Sequence, residues 1–334
     1  MSSLAVKYRP NDWSDVTSQI GTIKVLQRQV ELGEYRNAYL FTGPSGTGKT
    51  TLARILANKI NKGMGEPIEI DAASNNGVEA VRSMTEQASQ RALDAEYKIY
   101  IVDEAHQITQ AGWAAFLKTI EQPPKYTIFM FCTTEFQKVP ETIQNRCQQY
   151  KLTRIPNHDI LKRLVYISNK EHFDYTKEAL EQITKLALGS MRQAISYLEK
   201  CKDFGDITLE NVLQVLGSFS YDTYFSLVNA IIDKNESTII TLIDGLYNEG
   251  SDLKLFVEMF LDFLLDLTKY VIFRSFAIIK IPESYKEKLE YTINVENAGK
   301  YFNHLIDKVL ELKTLVKGDP NIKTTVEIYL LTRV

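Results

Sequence analysis

Cysteine is scarce, with three in 334 residues. Cys132, Cys147 and Cys201 stand far apart with no Cys-x-x-Cys pair, which points away from a disulfide framework and from a zinc site; no zinc is expected, and a reducing cytoplasm fits. An excess of positive charge is missing as well. With 39 Lys and Arg against 42 Asp and Glu, the net charge is −3, so any nucleic-acid contact must be local. The N-terminal Met1-Ser2-Ser3-Leu4 lacks the basic-then-apolar pattern of a secretory signal. Long apolar runs are absent too: the stretch from Leu255 to Ile281 is broken by Glu258, Asp262, Asp266, Lys269 and Arg274, too often to span a bilayer. It reads as one or two packed helices, and no membrane partner is expected. A hydrophobic content of 44% leaves enough apolar surface for two or three folded domains.

What is present organises around one stretch. Tyr39-Leu40-Phe41-Thr42 reads as a buried strand, and it runs into Gly43-Pro44-Ser45-Gly46-Thr47-Gly48-Lys49-Thr50-Thr51, a complete G-x-x-x-x-G-K-T phosphate loop. The glycines let successive N–H groups curl around one anion. Lys49 supplies charge for the outer phosphates and Thr50 a hydroxyl for Mg²⁺. Leu52, Ile55, Leu56 and Ile60 follow at helical spacing, so the phosphates would sit on a helix N-terminus. This predicts binding of a nucleoside triphosphate.

The flanking pattern alternates strand and helix, as in a parallel α/β sheet. A helix is expected over 22–32, strands at 67–71, 99–104 and 126–134, and helices over 78–92 and 110–121, the last stopped by Pro123-Pro124. The third strand ends in Asp103-Glu104, which delivers two carboxylates to the edge where such sheets bind ligands. Asp103 would hold Mg²⁺ and Glu104 would polarise the attacking water, although an apolar run ending in Asp-Glu is by itself also an ordinary strand end. The fourth strand ends in Thr133-Thr134, either of which is placed to position water or the γ-phosphate or to serve structure alone. A short helix over 140–147 ends in Arg146, which taken alone reads as a surface cation.

From about Asn157 only helices are expected: 158–167, 176–186, 190–201 and 209–216, then, beyond Gly217-Ser218, 224–232, 238–247, 253–273, 282–291, 301–316 and a last one over 325–331. Arg192 falls in the first turn of the third of these. A cation is disfavoured there, which hints at an anionic partner. The final segment carries no catalytic constellation, and packing, including packing against other subunits, is its default role.

Taken in order, the motifs resemble the AAA+ clamp loaders, most closely the gamma/tau ATPase subunits of bacterial DNA polymerase III. The resemblance rests on Lys7-Tyr8-Arg9-Pro10, Gly43 to Thr50, Glu69-Ile70-Asp71-Ala72-Ala73-Ser74, Asp103-Glu104-Ala105-His106, Leu117 to Pro124, Cys132-Thr133-Thr134 with Gln137-Lys138-Val139-Pro140, Asn145-Arg146-Cys147, and Gly189-Ser190-Met191-Arg192-Gln193-Ala194. It implies an AAA+ α/β module over 1–155, a helical lid over 156–217 and an all-helical collar over 218–334. It further implies that the chain is an ATPase subunit which, with ATP and Mg²⁺, opens a sliding clamp and loads it onto primer-template DNA. Its other partners would be further clamp-loader subunits.

By that resemblance Tyr8, Arg9, Pro10 and Val16 line the base pocket, Thr134 is a sensor of the γ-phosphate and Arg192 a second sensor. Arg146 becomes an arginine finger for a neighbouring subunit. Arg82, Lys118 and Lys138 fall where the family tracks DNA phosphates, and Asn75 and Gly77 stand where related chains often carry positive charge. The sequence departs from the pattern in lacking the usual four-cysteine zinc module, replaced by Lys62-Gly63-Met64-Gly65-Glu66, in carrying Asn145 for the usual Ser, and in stopping where a collar would stop. These departures suggest a phage or divergent bacterial replication system. Three other readings compete, one of them a non-catalytic scaffold subunit, against which Lys49, Glu104, Arg146 and Arg192 all stand intact. Asp103-Glu104-Ala105-His106 spells a DExH helicase signature, yet no second α/β domain or helicase box accompanies it. An AAA+ motor of repair or recombination shares the phosphate-loop module, but the helical segment after Gly217 favours a collar.

Overall fold

A computed structural model of the chain describes residues 3–216 and 219–333. The boundary expected at Gly217-Ser218 lies outside the described residues. Two compact units are present: Met1–Phe173 with Ala187–Glu199, and Asp174–Leu186 with Lys200–Val334.

The first unit holds helices α1 (Leu4–Lys7), α2 (Ile20–Leu32), α3 (Lys49–Ile60), α4 (Val78–Ala88), α5 (Gln110–Glu121), α6 (Glu141–Gln144) and α7 (Asn157–Lys170). They surround strands β1 (Ala38–Thr42), β2 (Ile68–Asp71), β3 (Lys98–Asp103), β4 (Thr127–Thr133) and β5 (Gln148–Lys151). All pairings are parallel, in the order β2-β3-β4-β1-β5. Alternation along the central strands explains why both faces are covered. Tyr39, Phe41, Ile99, Ile101, Ile128, Met130 and Cys132 join one core with residues of α2 and α3. Leu40, Tyr100, Val102, Phe129 and Phe131 join another with Val81 and Met84 of α4 and Trp113 and Phe116 of α5. A strand buried on both sides reads as a continuous apolar run, which is why β1, β3 and β4 were legible.

The fifth strand was not. Of Gln148, Gln149, Tyr150 and Lys151 only Tyr150 is buried, and this polar edge strand is held by its pairing with β1 rather than by hydrophobicity. The helix expected over 78–92 ends at Ala88, where the Ser89 hydroxyl turns back to the Glu86 carbonyl at 2.6 Å and Leu93 is fully exposed.

The second unit is helical: α8 (Lys177–Leu186), α10 (Leu209–Val215), α11 (Tyr221–Ile232), α12 (Glu236–Asn248), α13 (Leu253–Phe273), α14 (Lys286–Thr292), α15 (Ala298–Leu315) and α16 (Ile322–Thr332). Helix α9 (Met191–Phe204) precedes α10 and has its first nine residues in the first unit. The stretch expected as one or two helices is the single α13, opened by the Asp252 carboxylate accepting from the N–H groups of Lys254 and Leu255 and closed by Arg274 at φ +49°. The helix expected over 282–291 is instead a 3₁₀ turn at Glu283–Tyr285 leading into α14. Tyr224, Phe256, Phe260 and Phe263 form the aromatic centre of this core. Among the described residues no helix is long and apolar enough to cross a membrane.

Candidate nucleotide-binding site

Strand order places the site. With β4 lying between β1 and β3, the C-terminal ends of all three open onto one edge, and Thr42 pairs in register with Thr133. The phosphate loop leaves β1 at that edge. Gly43 adopts φ +143°, and a Cβ there would lie 2.4 Å from the Leu152 carbonyl oxygen. At Gly46, φ is +72° and a Cβ would lie 2.0 Å from the Ser190 hydroxyl, while the Gly46 carbonyl accepts from the Met191 N–H at 3.0 Å. Side chains are excluded at these two points by close neighbours as well as by conformation. The loop closes on itself through the Thr47 hydroxyl, which donates to the Pro44 carbonyl at 2.8 Å. Helix α3 then starts at Lys49 with no side-chain cap, leaving its first N–H groups and its positive dipole end available to an anion.

Lys49 is 7% exposed, and its ammonium donates to the carbonyls of Gly43 and Pro44 at 2.9 and 3.0 Å. Burial draws its pKa below that of an ordinary lysine, opposed by the negative groups around it, Glu104 and Asp103 among them. The Thr50 hydroxyl donates to Asp103 at 2.8 Å. A hydroxyl and a carboxylate this close are two hard oxygen donors, a set that fits Mg²⁺. Glu104 follows at φ +47°, and its N–H donates to Asp103 at 3.0 Å.

A cavity of about 380 Å³ opens above the loop, within the range of small-molecule sites. Its walls include Tyr8, Arg9, Pro10 and Val16 on one side and Ser45, Gly46, Thr47, Gly48, Lys49, Thr50 and Thr51 on another. Asp103, Glu104 and Arg192 complete it. Tyr8 is fixed there by its hydroxyl donating to Glu171, by Arg163 donating to its carbonyl at 2.8 Å, and by an edge-on contact with Tyr166 at 6.3 Å. Burial and then the Glu171 carboxylate push the Tyr8 phenol up to about 12, so it stays a neutral donor. Burial pulls the Arg9 guanidinium down, and the positive charges of Arg54 and Arg192 add to this. Cations crowded against one cavity favour a polyanionic occupant.

Sequence reading missed several wall residues: Thr17, Ser18, Ile155, Arg163 and Ile195. Thr17 and Ser18 directly follow Val16 and were within reach of the sequence. Arg163, in the middle of α7, had no local signal. Other expected residues lie elsewhere. Thr134 is half-buried, and neither it nor Arg146 is among the described residues that line the cavity. The neighbouring Thr133 hydroxyl is the engaged one, accepting from the Glu135 N–H at 3.0 Å. Arg146 is paired with Glu121 of α5 at 2.6 Å and donates to the Thr142 carbonyl at 2.7 Å. Arg82 on α4 and Lys118 on α5 are exposed on helices that pack together, and the exposed Lys138 pairs with Glu135 at 3.0 Å.

Residues 66–156 match the family profile of the DNA polymerase III delta subunit, and residues 207–327 that of DNA polymerase III subunits gamma and tau domain III. The chain is 34% identical to DNA polymerase III subunit tau of Bacillus subtilis over 310 residues, 85% of this chain and 55% of the relative. It is 30% identical to DNA polymerase III subunit gamma of Buchnera aphidicola subsp. Schizaphis graminum over 360 aligned positions, 98% of this chain and 96% of the relative. Against several of the tau and gamma/tau relatives, such as that of Mycoplasma genitalium, it spans about half of their length. Among solved structures, the Holliday junction branch migration motor RuvB of Thermotoga maritima superimposes with a TM-score of 0.53 at 17% identity, over 73% of this chain and 86% of that one, a likeness of fold. The parallel sheet, its phosphate loop and the helical segment that follows thus coincide with sequence identity over nearly the whole chain: it belongs to the DNA polymerase III gamma/tau family.

Proposed function

We propose that the chain is an ATPase subunit of a sliding-clamp loader, with an AAA+ module through residue 155, a lid over 156–217 and a collar over 218–334. One observation carries the reading. The phosphate loop, the β3 carboxylates and Arg192 share a cavity, whereas Arg146 is turned to Glu121 and away from it. A cavity that gathers the loop, the carboxylates and Arg192 but not Arg146 supports a reading in which that arginine serves the site of a neighbouring subunit.

In this reading Tyr8, Pro10 and Val16 hold the base and the α3 N-terminus with Lys49 holds the phosphates. Thr50 and Asp103 hold Mg²⁺, which when bound neutralises phosphate charge. Glu104 orients the attacking water, Thr134 and Arg192 sense the γ-phosphate, and Arg146 acts in trans, a contribution of about 10³–10⁵ in kcat. ATP then bridges subunits in a spiral that grips and opens the clamp. Primer-template DNA aligns the fingers and triggers hydrolysis, with Arg82, Lys118 and Lys138 as its phosphate contacts and a strong salt dependence.

The test is steady-state ATPase activity of the chain with its companion subunits, with and without a sliding clamp and primed DNA. Stimulation by both is expected, and its absence sinks the clamp-loading reading. Mixing in Arg146→Ala subunits should lower hydrolysis while the mutant subunit still binds ATP; undiminished hydrolysis removes the finger role.

A further inference from the structure

One further buried side chain lies beside Glu104. His106 lies in the 3₁₀ turn Ala105–Gln107 that follows Glu104, and its imidazole is only 7% exposed. Its Nδ1 lies 3.1 Å from the Thr133 hydroxyl and 3.4 Å from Glu104 Oε2. Its Nε2 lies 3.3 Å from Glu135 Oε1 and 3.3 Å from the Gln107 amide nitrogen. The ring therefore stands between two carboxylates from different elements, one just past β3 and one just past β4. Glu135 is itself tied down, by its N–H to Thr133 and by Lys138.

The environment of Glu104 makes this arrangement more than a satisfied buried histidine. Left-handed backbone at a residue with a Cβ is strained and persists only where the surroundings impose it. Glu104 Oε2 is buried and forms no hydrogen bond, with His106 Nδ1 just beyond good hydrogen-bond length. That carboxylate oxygen is thus steered by the imidazole's charge distribution and by contact, and a shift of about half an ångström converts the approach into a full hydrogen bond.

We infer that His106 is a positioning residue: its imidazole links the Glu104 carboxylate to Thr133 and Glu135, so that the orientation of Glu104 follows the state of the β4 end. The inference rests on Glu104 orienting the attacking water. It makes the β3 and β4 termini one mechanical unit, in which a displacement of Thr133 or Glu135, next to the proposed sensor Thr134, reaches the water-orienting group through one ring.

The experiment measures kcat, KM for ATP and the affinity for a fluorescent ATP analogue in the assembled complex. The variants are His106→Ala, His106→Asn and Glu135→Gln, with His106→Ala also made on a Glu104→Gln background. His106→Ala should lower kcat about tenfold with KM and affinity within about twofold of the parent, the pattern of an interaction that matters in the transition state. Asparagine, which keeps a polar group near the Nδ1 position, should restore most of the loss, and Glu135→Gln should lower kcat about threefold. On Glu104→Gln the alanine change should add nothing, because His106 acts through Glu104. Unchanged kcat, a shift in KM alone, or an equal loss on the Glu104→Gln background overturns the inference. Should the alanine variant fail to fold, the asparagine and Glu135→Gln variants decide on the same criteria. A parent complex that hydrolyses ATP while its variants match it refutes only the role of His106; a parent that hydrolyses none refutes the ATPase reading as well.

Discussion

The cavity of the first unit and the aromatic core of the second are built from different contacts. In the first, a cavity is walled by polar and charged groups: a nearly buried lysine held by loop carbonyls, cations crowded on cations, a glutamate in left-handed backbone. In the second, Tyr224, Phe256, Phe260 and Phe263 stack with ring centroids 5.1–6.1 Å apart. One region presents charged and polar groups to a ligand, whereas the other is packed from apolar rings and buries even the Tyr224 hydroxyl without a hydrogen-bond partner. Stability and chemistry are therefore expected to separate under mutation.

The largest effect should come from the aromatic core. Phe260→Ala removes a ring that is 1% exposed and should cost about 3–5 kcal/mol, seen as a lower midpoint in urea unfolding followed by circular dichroism. Nucleotide affinity of the folded protein should not change; if it falls in proportion, the contrast between the regions is wrong. Next in size is Lys49→Ala. Loss of the phosphate-facing ammonium should weaken nucleotide binding by about 3 kcal/mol, roughly 10²-fold, by titration calorimetry. It should leave the unfolding midpoint of the nucleotide-free protein unchanged or slightly raised, since a buried charge with depressed pKa is relieved.

The smallest effect tests the exception within the second unit. Asp266 is 2% exposed, and it accepts from the Lys280 N–H at 2.6 Å and pairs with Lys269 at 3.3 Å. Burial raises its pKa above 3.8 despite both lysines. The folded state then binds this proton more tightly than the unfolded chain, so the group's contribution is complete below pH 3.8 and is lost as pH rises through the folded pKa. Asp266→Asn should flatten that part of the Tm–pH curve, by on the order of 1–2 °C. An unchanged slope would show that the carboxylate is ionised in the fold at no cost.

The alternating apolar strands, the phosphate loop and the Pro-stopped α5, found over Gln110–Glu121 as expected, were legible because each signal is local. The long α13 was legible for the same reason, from its helical spacing. The edge strand β5 was not, since a strand paired on one side and open on the other needs no hydrophobic pattern. The cavity was half legible: Ser45 to Thr51, Asp103 and Glu104 announce themselves, while Arg163 and Ile195 reach it from separate helices. The roles of Thr134, Arg146 and Arg192 came from resemblance and stand as proposals.

The sequence by itself determined that a phosphate loop leaves a buried strand, that two carboxylates end another, and that the second half is helical. Spacing along one chain suffices for these. Only the tertiary structure decided that β4 separates β1 from β3, that Thr50 meets Asp103, that Arg146 faces Glu121 and that His106 lies between two glutamates. Residues such as Glu104 and Glu135, 31 positions apart in the numbering, are brought to one imidazole by strand order, and strand order is set by how both faces of the sheet are buried.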